Sequence, residues 1–115
     1  MASTQTKKYT ASHKFARIAP RKARLVADMI RGKGIEDALS TLEFSPRRGA
    51  WFIKSVLRSA IANAEEANLD VGRLFVSETR VDEGPTIKRF QPKDRGRSHP
   101  IMKRTSHIHV AVDVR

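Results

Sequence analysis

The sequence predicts an α+β fold: three helices packed on a small antiparallel sheet, with a long projecting β-hairpin. Three observations predict it. Between Pro20 and Ala64 apolar residues recur at the three-and-four spacing of helices, and beyond Asn68 they recur at every second residue, as in strands. Residues 83–104 are basic, broken by prolines and poor in side chains that could build a core. At 115 residues the chain suffices for one modest hydrophobic core and not for two, so residues 1–115 read as a single domain.

Taken in order, residues 1–8 read as a disordered tail, and "YTASHKFARI" (Tyr9 to Ile18) as a short edge strand. "PRKARLVADMIRG" sets Leu25, Val26, Met29 and Ile30 on one helical stripe, with Pro20 in the first turn and Gly32 as the stop. Ile35, Ala38, Leu39 and Leu42 predict a second short helix, ended by Ser45-Pro46. A third and longest helix follows, with Phe52, Ile53, Val56, Leu57, Ala60, Ile61 and Ala64 on a broad apolar face. Trp51 and Phe52 lie within that stripe and read as core rather than as base-stacking aromatics. "RLFVSETRV" is strand-like, and "HIHVAVDV" alternates Ile108, Val110, Val112 and Val114 with His107, His109, Ala111 and Asp113.

These two strands read as the arms of one antiparallel hairpin, pairing from Phe75 with Val112 inward and turning at "KDRG", Lys93 to Gly96. Arms of about eighteen residues at about 3.3 Å each reach roughly 60 Å. A compact body of about ninety residues has a radius of gyration near 12 Å, so the hairpin must project. Pro85, Pro92 and Pro100 remove ladder donors, and an isolated two-stranded hairpin is marginal in water. The extended basic arm, residues 83–104, therefore needs an external partner to order it.

Charge says what that partner is. The formal net charge is +11, unevenly spread. Residues 1–31 hold eight Lys or Arg against one acid, residues 32–81 hold seven of each sign, and residues 84–104 hold seven basic residues against Asp94 alone. A neutral middle with two basic ends fits a long polyanion, whose condensed counterions are released as phosphates are neutralised. A membrane surface is the weaker partner, because no amphipathic helix with aromatic anchors accompanies the cations. Arg21, Lys22 and Arg24 crowd the first helical turn, where the macrodipole favours acids; a bound anion would turn that fault into a site.

Four motifs carry a resemblance. "PRKARLVADMIRGK", "VLRSAIANAE", "VDEGPTIKRF" and "KRTSHI" resemble, in order and spacing, the signatures of bacterial large-subunit ribosomal protein twenty-two, over about residues 9–114. The resemblance implies an α+β body whose hairpin runs through large-subunit (23S) ribosomal RNA, with a tip at the wall of the nascent-peptide exit tunnel. It implies neighbouring ribosomal proteins as partners, among them ribosomal protein four at the tunnel constriction, as well as the nascent peptide in transit and a role in subunit assembly. Charge and resemblance together nominate Lys14, Arg17, Arg21, Lys22, Arg24, Lys88, Arg89, Lys93, Arg95, Arg97, Lys103, Arg104, Thr105 and His107 as RNA-binding. The tunnel-facing tip falls on Ile87, Lys88, Arg89, Phe90, Gln91, Pro92 and Lys93, running on to Arg95, Gly96 and Arg97. The chain departs from the family's usual tip, P-R-A-x-G-R-A, in placing Lys93, Asp94, Arg95 and Gly96 after Pro92. Ala19 stands where the family often has a serine, which forgoes a capping oxygen worth about 0.5–2 kcal/mol.

Other classes fit less well. Cysteine is absent, which removes disulfides, thiolate zinc sites and cysteine nucleophiles together. His107 and His109 share a strand face but lack a third patterned ligand, and Asp82 and Glu83, adjacent on a strand, point to opposite faces. "RGKG" is too short for a phosphate cradle, and no serine has a credible base and orienting acid. We therefore expect no enzyme, no cofactor, no metal and no small-molecule substrate. A DNA-binding regulator would need the second helix to read bases, yet "IEDALSTLEF" carries Glu36, Asp37 and Glu43 and no cation. No apolar run is long enough to span a bilayer, and the N-terminus lacks the hydrophobic stretch of a signal peptide, so the expected location is the cytoplasm, where the resemblance implies a place in the ribosome.

Overall fold

A computed structural model describes residues 9–93 and 97–114, with side chains at 9–86 and 103–114. In chain order the elements are β1 (Tyr9–Ala16), α1 (Pro20–Ile30), α2 (Ile35–Phe44), α3 (Arg48–Glu66), a 3-10 turn (Val71–Arg73), β2 (Leu74–Glu83), β3 (Ile87–Lys93), β4 (Arg97–Lys103) and β5 (Ser106–Val114). β5 is the central strand of a three-stranded antiparallel sheet of order β1-β5-β2, and the helices pack on that sheet. β3 and β4 pair in a ladder of their own.

Helix α1 corrects the expected stripe. It buries Pro20, Ala23, Val26, Ala27 and Ile30, while Leu25 and Met29 stand 50% and 39% exposed. The buried face is rotated toward the alanines because small side chains let the backbone come close to its neighbours. Thr79 Oγ1, on β2, reaches in to donate to the Ala27 carbonyl at 3.1 Å. Where α3 crosses α1, a Cβ on Gly49 would lie 3.2 Å from both Ile18 Cδ1 and Val26 Cγ2. Glycine there lets the first turns of the two helices sit side by side.

Gly32 ends α1 at φ +83°, the left-handed region that costs glycine nothing. Its N–H donates to the Val76 carbonyl and the Val76 N–H donates to Lys33 O, both at 2.9 Å, so the α1–α2 connection is zipped onto the free edge of β2. α2 buries Ile35, Ala38 and Leu42 and carries Glu36 and Asp37 in its first turn, where the dipole favours them. α3 buries all seven of the expected apolar residues, and Asn68 closes it in the left-handed region at φ 62°. Trp51 departs from expectation: Phe52 is buried, but Trp51 is 68% exposed. Adjacent helical residues point about 100° apart, so a single stripe holds only one of them at its centre.

Two bulges set the phase of the sheet. β2 buries Leu74 and Val76, then Thr79 and Val81, and its register with β5 shifts between Val76 and Glu78. The extra residue resets a period-two pattern, keeping the apolar side chains on the core face along the whole strand. Val76 faces Val112 and Phe75 faces Asp113, one residue from the expected pairing. A second shift lies in β1 between His13 and Ala16, and within it Phe15 adopts φ 60°.

The expected continuous arms are divided. The strands are interrupted at residues 84–86 and again at 104–105, where Pro85 lacks a donor. Beyond the break, β3 and β4 run in register from Ile87 opposite Lys103 to Lys93 opposite Arg97. The turn expected at Lys93 to Gly96 falls on residues 94–96, outside the described residues, as does the N-terminal tail, residues 1–8. No element of the body packs extensively on β3 or β4. The molecule accordingly measures 65 × 37 × 21 Å with a radius of gyration of 17.5 Å, against about 13 Å for a compact chain of this length.

Candidate nucleic-acid interface

The bend after β1, the first turns of α1 and α3, and the root of β4 meet around an open groove of about 830 Å³. Six cations line it: Arg17, Lys22, Arg47, Arg48, Lys103 and Arg104, over a floor of Ile18, Ala19, Leu25 and Gly49. No acid lines the groove, and none of the six cations forms an ion pair among the described residues.

The helix ends explain why such a groove is poised for an anion. α1 begins at Ala19 and α3 at Arg47; neither has a side-chain cap or an acid in its first turn. Each helix N-terminus carries roughly half a positive charge and unpaired N–H groups. Gly49 brings the two ends together, and the basic side chains add to their field. The combination destabilises the free protein locally and favours a bound phosphate.

Sequence-nominated residues divide into three groups. Arg17, Lys22, Lys103 and Arg104 come together in the groove, with Arg21 and Lys14 exposed nearby in sequence on α1 and β1. Arg24, Thr105 and His107 are committed to the fold. Arg24 donates from Nε and Nη2 to the Val81 carbonyl at 3.1 and 3.0 Å, holding α1 against β2. Thr105 is 3% exposed and donates to Pro85 O at 2.6 Å, pinning the root of the hairpin. His107 Nδ1 accepts from the strained Phe15 N–H at 3.1 Å, and its ring meets Phe15 edge-on. Lys88, Arg89, Lys93 and Arg97 stand on β3 and β4, with the tip residues Ile87, Phe90, Gln91 and Pro92 on β3; Arg95 and Gly96 lie outside the described residues.

Arg47 and Arg48 are the residues that sequence reasoning missed. They sit in the charge-neutral middle of the chain, so bulk charge gave no warning. The available signal was local: "SPRRG" places two cations after a proline at a helix start, where acids belong. The histidines do not assemble a metal site: among the described residues no group of three His, Cys, Asp or Glu could hold an ion. On the outer face of α3, Lys54 donates to Glu43, and this hydrogen bond first, and the Lys54 charge second, hold the Glu43 carboxyl below its ordinary 4.5. The outward acids of α2, Glu36 and Asp37, oppose the use of that helix to read a duplex. No helix among the described residues is long and apolar enough to cross a membrane.

An α+β body, with a cationic groove free of lining acids at the root of a projecting hairpin, defines a class of small basic scaffold proteins. The chain belongs to the ribosomal protein L22p/L17e family, whose family model matches residues 11–113. It is similar to the large ribosomal subunit protein uL22 of Ligilactobacillus salivarius, 56% identical over 106 residues, covering 91% of this chain and 92% of that relative. The uL22 protein of Lacticaseibacillus casei is 56% identical over 104 residues, covering 90% and 89%. That of Desulfosudis oleivorans is 50% identical over 103 residues, covering 90% of each chain. Membership of a ribosomal protein family supports a structural role.

Proposed function

We propose that the chain is a structural constituent of the large ribosomal subunit that binds large-subunit (23S) ribosomal RNA, supports subunit assembly and lines the nascent-peptide exit tunnel with its hairpin tip. One observation carries the RNA reading: six cations and two uncapped helix ends converge on one groove with no acid among its lining residues. Phosphate contacts of this kind fix the position of a protein on nucleic acid without reading sequence. The names of the relatives point to the large subunit as the setting. From the root of the groove, β3 and β4 carry further cations outward, which suits an arm threaded between RNA segments. Its tip would meet ribosomal protein four at the tunnel constriction and the nascent peptide in transit, within cytoplasmic ribosomes.

The test is binding of the full chain to a large-subunit ribosomal RNA transcript across a salt series. Each phosphate contact contributes about 0.7–0.9 to the slope of log affinity against log salt. Lys22→Gln, Arg47→Gln and Arg48→Gln together should flatten that slope by about 2–3. Thermal stability should hold or rise, because three cations leave the positive ends of helices. An unchanged slope would refute the groove as the RNA site.

A further inference from the structure

Trp51 is the one tryptophan of the chain, and the fold leaves it on the surface. Its ring meets Phe52 edge-on at 5.0 Å, and Phe52 in turn meets His13 edge-on at 5.6 Å, so the indole is braced from one side and open on the other. The Arg48 guanidinium lies 5.7 Å from the Phe52 centroid, which links this aromatic step to the basic groove. Beyond Trp51 a shallow depression runs along the outer face of α3, lined by Trp51, Lys54, Ser55, Arg58, Ser59 and Ala62. Lys54 is engaged by Glu43, whose carboxylate also feels the more distant charge of Arg58, while neither Arg48 nor Arg58 forms an ion pair among the described residues.

We infer that Trp51 is a stacking platform for an unpaired nucleotide of the ribosomal RNA, with Arg48 and Arg58 meeting the flanking phosphates. The inference rests on the RNA-binding reading of the groove and extends it along α3. The two arginines stand ten positions apart on α3, about 15 Å of rise, with the indole between them. An open aromatic face flanked by cations fits the pattern by which single strands are held: bases stack on the ring and the backbone follows the charge. A base inside a duplex has no free face, so the nucleotide must be unpaired, as in a loop, bulge or end. Trp and Arg are also enriched at protein interfaces, but this patch runs on through Arg48 from the acid-free cationic groove, and that continuity favours RNA. The small side chains of Ser55, Ser59 and Ala62 keep the depression open, and the Ser55 hydroxyl faces a ribose or a phosphate there, the Ser59 hydroxyl donating to Ser55 O at 3.2 Å.

The experiment uses the full chain labelled with fluorotryptophan, read by fluorine NMR, with a large-subunit ribosomal RNA transcript as the probe and a mobility shift as an independent measure of binding. The Trp51 resonance should move in step with the mobility shift. Trp51→Ala should weaken binding roughly 5- to 30-fold, the lower part of the range for a base on an aromatic ring. Trp51→Phe should recover most of the loss. The salt slope should stay unchanged in both variants, since no charge is removed. If the RNA binds while the resonance stays still and Trp51→Ala binds as tightly as the parent, the platform is overturned and the groove reading stands. If the resonance moves only on adding the RNA-free protein fraction of the large subunit, a protein neighbour covers Trp51 and the platform is likewise overturned. Failure of the transcript to bind at all would remove both readings.

Discussion

Replacing Gly84 with alanine should loosen the root of the hairpin by a calculable amount. Gly84 stands where β2 ends, and its N–H donates to Thr105 O at 2.9 Å. An added Cβ would lie 2.5 Å from Thr105 Oγ1 and 3.3 Å from both the Thr105 carbonyl carbon and His107 Cε1. Thr105 is buried and its hydroxyl is held by Pro85 O at 2.6 Å, so it has little room to retreat. Breaking that hydrogen bond costs about 0.5–1.5 kcal/mol. Overpacking adds about 1–3 kcal/mol, and the lower chain entropy of alanine in the unfolded state returns about 0.4–1 kcal/mol. The net destabilisation should be about 2 kcal/mol, within bounds of about 0.5–4, or a fall in Tm of roughly 8 °C at about 4 °C per kcal/mol. Urea unfolding of the parent, Gly84→Ala, Thr105→Ala and the double variant separates the clash from other effects. With Thr105 Oγ1 gone, the added cost of Gly84→Ala should shrink by at least about 1 kcal/mol. Additivity within about 0.3 kcal/mol would refute the steric account.

Three further outcomes are expected. Arg24→Gln should lower stability by about 1–3 kcal/mol, since it leaves the Val81 carbonyl without its charged donor, whereas Lys22→Gln should not; equal melting temperatures for the two variants would contradict this division. Removing Ile87 to Arg97 and closing the arms with a short turn deletes five basic residues and little that packs on the body. Its Tm should therefore change little, within about 0.5 kcal/mol of stability, while the salt slope of RNA binding falls by about 3 if four of those cations meet phosphate; an identical slope would mean that the arm does not. Glu43→Gln should lower Tm near neutral pH, because the native carboxyl titrates below its ordinary 4.5 and its stabilisation is present above that value. The difference from the parent should vanish as pH falls through the lowered native pKa, and a difference that persisted in acid would point away from the Lys54 pair.

The fold was legible wherever periodicity and burial agree. The apolar face of α3 and the strand identity of β2 and β5 follow from pattern alone, because a nineteen-residue helix and a central strand are held by many side chains at once. α1 misled because pattern weights Leu25 and Met29 above Ala23 and Ala27, while close packing against β2 and α3 rewards the smaller side chains. The division of the hairpin arms was signalled by Gly84-Pro85, but the bulge after Val76 had no sequence mark distinguishing it from regular alternation. In the groove, Arg17, Lys22, Lys103 and Arg104 were legible as local excess charge. Arg47 and Arg48 were hidden by averaging with distant acids, and Arg24 looked like its neighbours until its two hydrogen bonds to Val81 O separated it from them.

The position of β5 between β1 and β2 makes the fold a test of chain integrity. The two flanking strands never pair with each other, so each waits for a partner that is synthesised after both of them. A chain broken off before Ser106 would hold most of the chain's cations, yet have no frame to bring those of the groove together. Tyr9 meets Val112 and Ala16 meets Ser106 only when the whole span between them has been made, and that closure sets Arg17 beside Lys103 and Arg104. Long-range pairing of this kind is slow, because the entropy of closing the loop is spent before any contact rewards it. The cations of the groove are therefore brought side by side only in a polypeptide that runs unbroken through β5.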